Sequence, residues 1–390
     1  MTAPKVYIKK NQDKRLFFGH HWIFSNELTS VPKIDAGSIV EIFKDNDKSY
    51  GYGFFNPNSL ISVRMLFTKD YPNKNLFIER LKSALSYREK LFPGSNVYRL
   101  VFGESDFLPG LIIDRYGEYL SLQSLSAGIE NYLPIIIEAL LEVTPEVKGI
   151  YAKNISHLRQ LEGLEQNEYT LFGNIPEENI VEEEGIKLSI SLQGGQKTGY
   201  FLDQRLNRKF IRKISEGLNV LDCYTNQGGF ALNASAGGAG EVTAVDISQP
   251  ALDRAELNAQ LNTFNNISFI KADVPDYLEN SISEGKNWDL IILDPPAFAK
   301  NRKKVPVAKA GYAKINRLAM RLIPSGGFLA SSSCSQQIEE DDFLDIIHKE
   351  ASKQGKQLRL LFRGLQSPCH PILTAMPETK YLKFYVHQII

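Results

Sequence analysis

The stretch Val220-Leu-Asp-Cys-Tyr-Thr-Asn-Gln-Gly-Gly-Phe-Ala231, with Val242-Thr-Ala-Val-Asp246 after it, decides the fold of this chain. An apolar strand runs into a glycine-bearing turn, a helix follows, and a second apolar strand ends on a carboxylate placed to hold a ribose diol. This is the front half of a nucleotide-cofactor site. The turn lacks the G-x-G-x-x-G spacing whose backbone amides cradle a pyrophosphate, so a nucleoside without phosphates suits it better. S-adenosyl-L-methionine fits that description.

Around that stretch, from about residue 191 to 390, strand and helix alternate regularly, which implies an α/β domain with a mostly parallel sheet covered on both faces. Seven strands are read, at 219–223, 241–245, 267–270, 288–293, 327–331, 357–361 and 381–386, with helices between them such as 249–261 and 312–322. Residues 1–70 instead alternate short apolar runs such as Ser38-Ile-Val-Glu-Ile-Phe43 and Ser62-Val-Arg-Met-Leu-Phe67 with turn signals at Asp35-Ala-Gly37 and Asn56-Pro-Asn58. That is the pattern of a small β-barrel. Residues 71–190 read as a central α+β domain. A helix in which Leu76, Ile78, Leu81, Leu85, Tyr87 and Leu91 approximate one apolar face ends at Pro93-Gly94. Strands follow near 98–102, 111–114, 119–122, 149–152 and 186–190, with a second helix over 129–142. The acidic turn Glu182-Glu-Glu-Gly185 reads as a hairpin or boundary loop rather than a site.

In parallel sheets ligands gather outside the carboxyl ends of the strands. The first such end carries Asp222, Asn226, Gly228 and Gly229, small enough for close backbone approach to the methionine part of a cofactor. Asp246 follows the second strand and can accept both ribose hydroxyls, while Asp273 follows the third and suits an adenine amino group. Any one of these carboxylates alone reads equally well as a helix N-cap. Three in register along one alternating fold favour a site.

After the fourth strand stands Asp294-Pro-Pro-Ala-Phe-Ala299. An Asp behind an all-apolar strand needs a partner, and two prolines fix the backbone while removing two amide donors. The result is a rigid ledge on which Asp294 and the Pro295 carbonyl can hold the Watson-Crick edge of a flat base, with Phe298 as a stacking face. The plainer reading of the prolines is a strand terminator.

After the fifth strand comes Ser331-Ser-Ser-Cys-Ser335. Carbon 5 of cytosine is not nucleophilic enough to take a methyl group until a thiolate adds at carbon 6, so such an enzyme needs a cysteine beside its cofactor. Cys334 occupies that place; the competing reading is a half-buried core cysteine. Cys223 lies within the first strand and reads as core, and Cys369 sits far down the chain.

Composition narrows the class. The 390 residues exceed what one core usually supports, so two or three domains are expected. With 43% hydrophobic and 23% charged residues and no apolar run of about 18, nothing suggests a membrane span. No signal peptide is expected, since Met1-Thr-Ala-Pro-Lys5 leads straight into a charged segment. The three cysteines offer no metal-ligand spacing and no disulfide framework, so a reducing cytoplasm is the simplest home. The 45 Lys+Arg cancel the 45 Asp+Glu, which gives no global pull on nucleic acid. Locally, Lys5, Lys9, Lys10, Lys14 and Arg15 stand beside Phe17, Phe18, His20, His21 and Trp22, and Arg302-Lys-Lys304 follows the ledge. Interleaved cations and rings suit phosphate contact with base stacking, or a solvated surface.

Together these residues make the chain resemble the bacterial 23S ribosomal RNA cytosine-carbon-5 methyltransferases of the large subunit, over nearly its whole length. In that family a PUA domain, to which Gly19-His-His-Trp-Ile-Phe24 is similar, precedes a central mixed domain and a class I, Rossmann-like methyltransferase domain. The stretch Gly195-Gln-Lys-Thr-Gly-Tyr-Phe-Leu-Asp-Gln-Arg205, with Asn207 and Arg208, looks like its most family-specific motif and in relatives closes over the cofactor. Its own chemistry agrees, since Lys197, Asp203, Gln204 and Arg205 make a polar lid beside Tyr200-Phe-Leu202; a polar interdomain linker is the plainer alternative. The resemblance implies S-adenosyl-L-methionine contacts from Gln204, Arg205, Asp222, Tyr224, Asn226, Gly228, Asp246, Asp273 and Asp294, with Lys197 toward the substrate and Cys334 as nucleophile. It also implies ribosomal RNA as the partner.

One departure matters: better-known RNA cytosine methyltransferases carry a second cysteine at the Pro-Pro motif, and Asp294-Pro-Pro-Ala297 has none, which leaves the base for the carbon-5 proton unassigned. Three other readings stay open: a guanine methyltransferase, which needs no cysteine; a non-catalytic RNA-binding assembly protein; and a small-molecule methyltransferase, which has little use for the first 190 residues. An apolar face on the central domain can pack internally or against a second copy, so a homodimer is compatible with the sequence.

Overall fold

The computed structural model describes residues 3–44, 48–193, 199–299 and 302–390. The chain folds as two compact units, one of Met1–Val181, Ile190–Leu202 and Pro368–Thr379, the other of Glu182–Ser189, Asp203–Ser367 and Lys380–Ile390.

In the first unit β1 (Lys5–Tyr7), β2 (Trp22–Phe24), β3 (Ser38–Phe43), β4 (Ser49–Phe55) and β5 (Ile61–Met65) form one sheet in the order β1-β3-β4-β5-β2, with helix α1 (Lys14–Phe17) ahead of β2. Its buried side, with Val40, Ile42, Phe55, Val63 and Met65, makes a small core of its own. A second sheet of the unit, in the order β10-β9-β8-β7-β6, is built from β6 (Val97–Phe102), β7 (Leu111–Tyr116), β8 (Tyr119–Ser124), β9 (Gly149–Lys153) and β10 (Glu168–Gly173). Helices α2 (Lys74–Leu91) and α3 (Ala127–Val143) pack on it, and α4 (His157–Leu161) follows β9.

The apolar face expected for α2 is corrected by the structure. Its buried stripe is Phe77, Leu81, Ala84 and Arg88, while Tyr87 and Leu91 are exposed; of the expected residues Leu81 alone is fully covered. The stripe has regular helical spacing but contains an arginine, which a count of apolar residues rejects. Arg88 tolerates burial because Asp106 takes its guanidinium and the carbonyls of Arg99 and Cys369 accept from it at 2.8 Å each.

The chain then turns through the hairpin β11 (Asn179–Glu183) and β12 (Ile186–Ile190), whose tip, Glu184-Gly185, has positive φ at both residues, as a tight two-residue turn requires. In the second unit α5 (Arg205–Ile214) leads into β13 (Asn219–Cys223), α6 (Gly229–Ala236), β14 (Glu241–Asp246), α7 (Gln249–Leu261), β15 (Ile267–Lys271), α8 (Val274–Ser283), β16 (Leu290–Leu293), α9 (Val305–Arg321), β17 (Phe328–Ser333), α10 (Glu340–Ser352), β18 (Leu358–Gly364) and β19 (Lys383–Ile389). The seven strands form one sheet, β15-β14-β13-β16-β17-β19-β18, parallel except for β19.

Alternate residues of the central strands serve opposite cores, Ile291 and Leu293 on one face, Leu290 and Ile292 on the other, which is why these strands read as continuous apolar runs. The strand order reverses at β13, with β14 on one side and β16 on the other. Such a reversal opens a crevice beyond the carboxyl ends of the two strands that flank it. Among the described residues no helix is long and apolar enough to cross a membrane.

Candidate active site

The crevice begins where β13 ends. Asp222 is fully buried, with one carboxylate oxygen accepting from the Thr225 hydroxyl at 2.6 Å and from the Ala231 amide at 2.9 Å. Its other oxygen, Oδ1, has no hydrogen-bond partner among the described residues. Burial pushes its pKa up to about 7. Tyr224 and Asn226 both take positive φ, +63° and +50°, a conformation that non-glycine residues adopt at a cost and that clusters at functional sites. At Gly228 φ is +81° and a Cβ would lie 3.1 Å from that of Ala255, so glycine suits both this backbone conformation and the close approach of the turn to α7.

Asp246, at the end of β14, accepts from the Asn226 amide and the Ser248 amide at 2.9 Å each, one on each oxygen. Each oxygen has a second lone pair for a diol. Asp273 caps α8 by accepting from the Asp276 amide at 3.3 Å, so one oxygen is engaged in the N-cap role that the sequence left open as the alternative. It lies near enough to Tyr224 to raise, with burial as the larger cause, the pKa of that phenol.

Beyond β16, Asp294 is half-buried and accepts from the Gln204 side-chain amide at 2.8 Å. The same amide reaches the Ser332 hydroxyl at 3.1 Å, and the Gln204 carbonyl oxygen accepts from Asn207 at 2.6 Å. Gln204 is therefore a buried link between α5, the ledge and β17. β17 runs two residues past its expected end, through Ser333, which makes Cys334 the first residue after the strand. Cys334 is half-buried, and its sulfur lies 3.9 Å from the Pro295 carbonyl oxygen. Phe298 packs tilted on Tyr312 at 4.7 Å between ring centroids.

The turn that carries Cys334 is clamped by groups that sequence reasoning missed. The buried Tyr312 hydroxyl bonds the hydroxyls of Ser333 and Ser335 at 3.0 Å each, and the Ala299 amide donates to Ser335 Oγ at 3.3 Å. Lys383, from β19, donates to the Ser335 and Ile338 carbonyls. The serine run and the lone Lys in Tyr381-Leu-Lys-Phe-Tyr-Val386 were the available signals.

The Arg205 guanidinium pairs with Glu184 at 2.7 Å, on the hairpin tip. Glu183 likewise takes Arg208 at 2.6 Å. The acidic turn is thus a hairpin, as expected, whose carboxylates hold the cations of α5. Lys197 lies outside the described residues.

The residues present fit S-adenosyl-L-methionine. A buried carboxylate oxygen still lacking a donor suits an ammonium group, a glycine turn admits close approach, and a carboxylate with remaining acceptor capacity suits a ribose diol.

Comparison with known proteins agrees. Residues 166–383 match the family model described as S-adenosylmethionine-dependent methyltransferase, and residues 6–68 match that of a PUA-like domain. The chain is 37% identical over 399 aligned positions to ribosomal RNA large subunit methyltransferase I of Vibrio cholerae, with all of both chains covered. It is 37% identical over 393 positions to the protein of that name from Aliivibrio fischeri, with 99% of each covered. In fold it is similar to a Streptococcus mutans chain assigned as a SAM-dependent methyltransferase, at TM-score 0.85 and 22% identity over 99% of this chain and 100% of that one. A methyltransferase structure complexed with SAH superposes equally well, at TM-score 0.85 and 23% identity over 100% of both chains.

Proposed function

The chain belongs to the S-adenosylmethionine-dependent methyltransferase family that includes ribosomal RNA large subunit methyltransferase I, and on that premise we propose that it methylates carbon 5 of a cytosine in 23S ribosomal RNA. The observation that carries the choice of base is a cysteine sulfur beside the ledge, 3.9 Å from the Pro295 carbonyl and just past β17, whose Ser332 is tied to Asp294 through Gln204. When bound, S-adenosyl-L-methionine supplies an electrophilic methyl group, held by Asp222, Tyr224, Asn226, Gly228 and Asp246.

The protein supplies the rest. Asp294 and the Pro295 carbonyl hold the Watson-Crick edge of a cytosine splayed out of its strand. The Cys334 thiolate adds at carbon 6, which moves electron density to carbon 5. After methylation, loss of the carbon-5 proton expels the thiolate and restores the ring. Residues 1–70 and 71–190 grip RNA by shape and phosphate in this reading, and residues 191–390 carry the chemistry. Phe17 and Phe18, 74% and 65% exposed beside Lys14 and Arg15, give the PUA-like domain a surface of rings and cations suited to RNA.

Cys334→Ala tests the reading. The variant is expected to bind cofactor as the parent does and to form no 5-methylcytosine, read by mass spectrometry of digested RNA. Undiminished cytosine methylation ends the nucleophile assignment, and methylated guanine with or without the cysteine favours the rival base.

A further inference from the structure

Lys383 opens β19 and is 5% exposed. A buried ammonium is costly unless its donors are satisfied, and here two are, by the Ser335 and Ile338 carbonyls at 2.7 Å each. Its Cα pairs with Ser333 across β17 and β19, one residue before Cys334. Both carbonyls lie just after Cys334, so the lysine ties down the turn from behind.

Neutral carbonyls satisfy the donors but do not balance the charge. The titratable groups facing Lys383 are Cys334, Glu339, Glu340 and Lys380. Glu340 is already engaged by Lys380 at 2.7 Å, by Arg363 at 2.6 Å and by the Tyr385 hydroxyl. Cys334 itself also faces Tyr312, a phenol whose pKa burial raises, which offers no charge.

Resting on the reading of Cys334 as the group that adds to the base, we propose that Lys383 is a positioning residue that fixes the Cys334 turn and supplies the positive charge favouring its thiolate. The thiolate is the nucleophile, and a nearby opposite charge favours a charged form by about one to three pH units. Burial pulls the ammonium down to about 8, so it remains mostly charged at neutral pH.

The test is alkylation of the full-length, RNA-free protein by iodoacetamide across a pH series, with the modified peptide mapped to Cys334; Cys223 and Cys369 are buried. The expected wild-type midpoint lies below the ordinary thiol value of about 8.5. Lys383→Met raises it by about one unit or more, Lys383→Arg keeps it low, and calorimetry shows cofactor binding in both. An unshifted midpoint in a folded Lys383→Met protein overturns the proposal. If that variant does not fold, the wild-type profile decides, and a midpoint at or above about 8.5 overturns it. The two readings fail separately. Methylation of a base other than cytosine sinks the role of Cys334 without moving the alkylation midpoint, whereas an unshifted midpoint with 5-methylcytosine still formed sinks Lys383 alone.

Discussion

At Asp222 burial works against the charge of the carboxylate. Its carboxyl titrates near 4 in an unfolded chain, but burial holds the proton to about 7 in the folded one. As pH rises between those values the unfolded state releases a proton that the folded state keeps, so stability is present at the acid end and lost toward neutrality. Thermal unfolding of the cofactor-free protein is expected to show Asp222→Asn gaining on the parent as pH rises from about 4 to about 7. A gap independent of pH contradicts this.

Asp246→Ala removes a charged acceptor facing the proposed diol and should weaken cofactor binding by about 1.5–3 kcal/mol, roughly 10- to 150-fold, in calorimetry. Unchanged affinity removes Asp246 from the site. Tyr312→Phe deletes one hydroxyl that bonds both serines flanking Cys334; it should lower stability by about 1–2 kcal/mol and slow methyl transfer while leaving cofactor affinity intact. Asp246 and Asp294 were legible in sequence because a carboxylate at the end of an apolar strand is costly to place there without a partner or a ligand, and Asp222 because it stands inside one. Tyr312 and Lys383 were not, since each is read within a helix or strand whose pattern gives no sign of which loop its polar tip meets.

Among the elements, α5 shows how charged side chains serve packing. Arg208 and Glu183 are 2% and 4% exposed in their side chains and 2.6 Å apart. Removing one partner of a buried pair leaves an uncompensated charge, so Arg208→Ala should cost about 3–5 kcal/mol in urea denaturation. A loss under about 1 kcal/mol would mark the pair as surface-like. The strands of the second unit were largely legible because both faces of a parallel sheet are covered and the apolar run is unbroken. The end of β17 was misplaced because its last residues, Ser332 and Ser333, are buried with their hydroxyls bonded to Gln204 and Tyr312 rather than by hydrophobicity. The face of α2 was misread for the same reason, with Arg88 in a core position.

Taken as a whole, the molecule has no net charge, so the proposed hold on RNA depends on local surfaces rather than on an overall field. A PUA-like domain stands ahead of the methyltransferase domain, and the relatives named for large-subunit ribosomal RNA cover the chain from end to end. The central claim concerns the base, and mass spectrometry of large-subunit RNA treated with the parent enzyme or with Cys334→Ala tests it most directly. 5-Methylcytosine is expected with the parent and none with the variant; 5-methylcytosine from the variant overturns the role of Cys334, and a methyl group on any other base overturns the assignment of the base to cytosine.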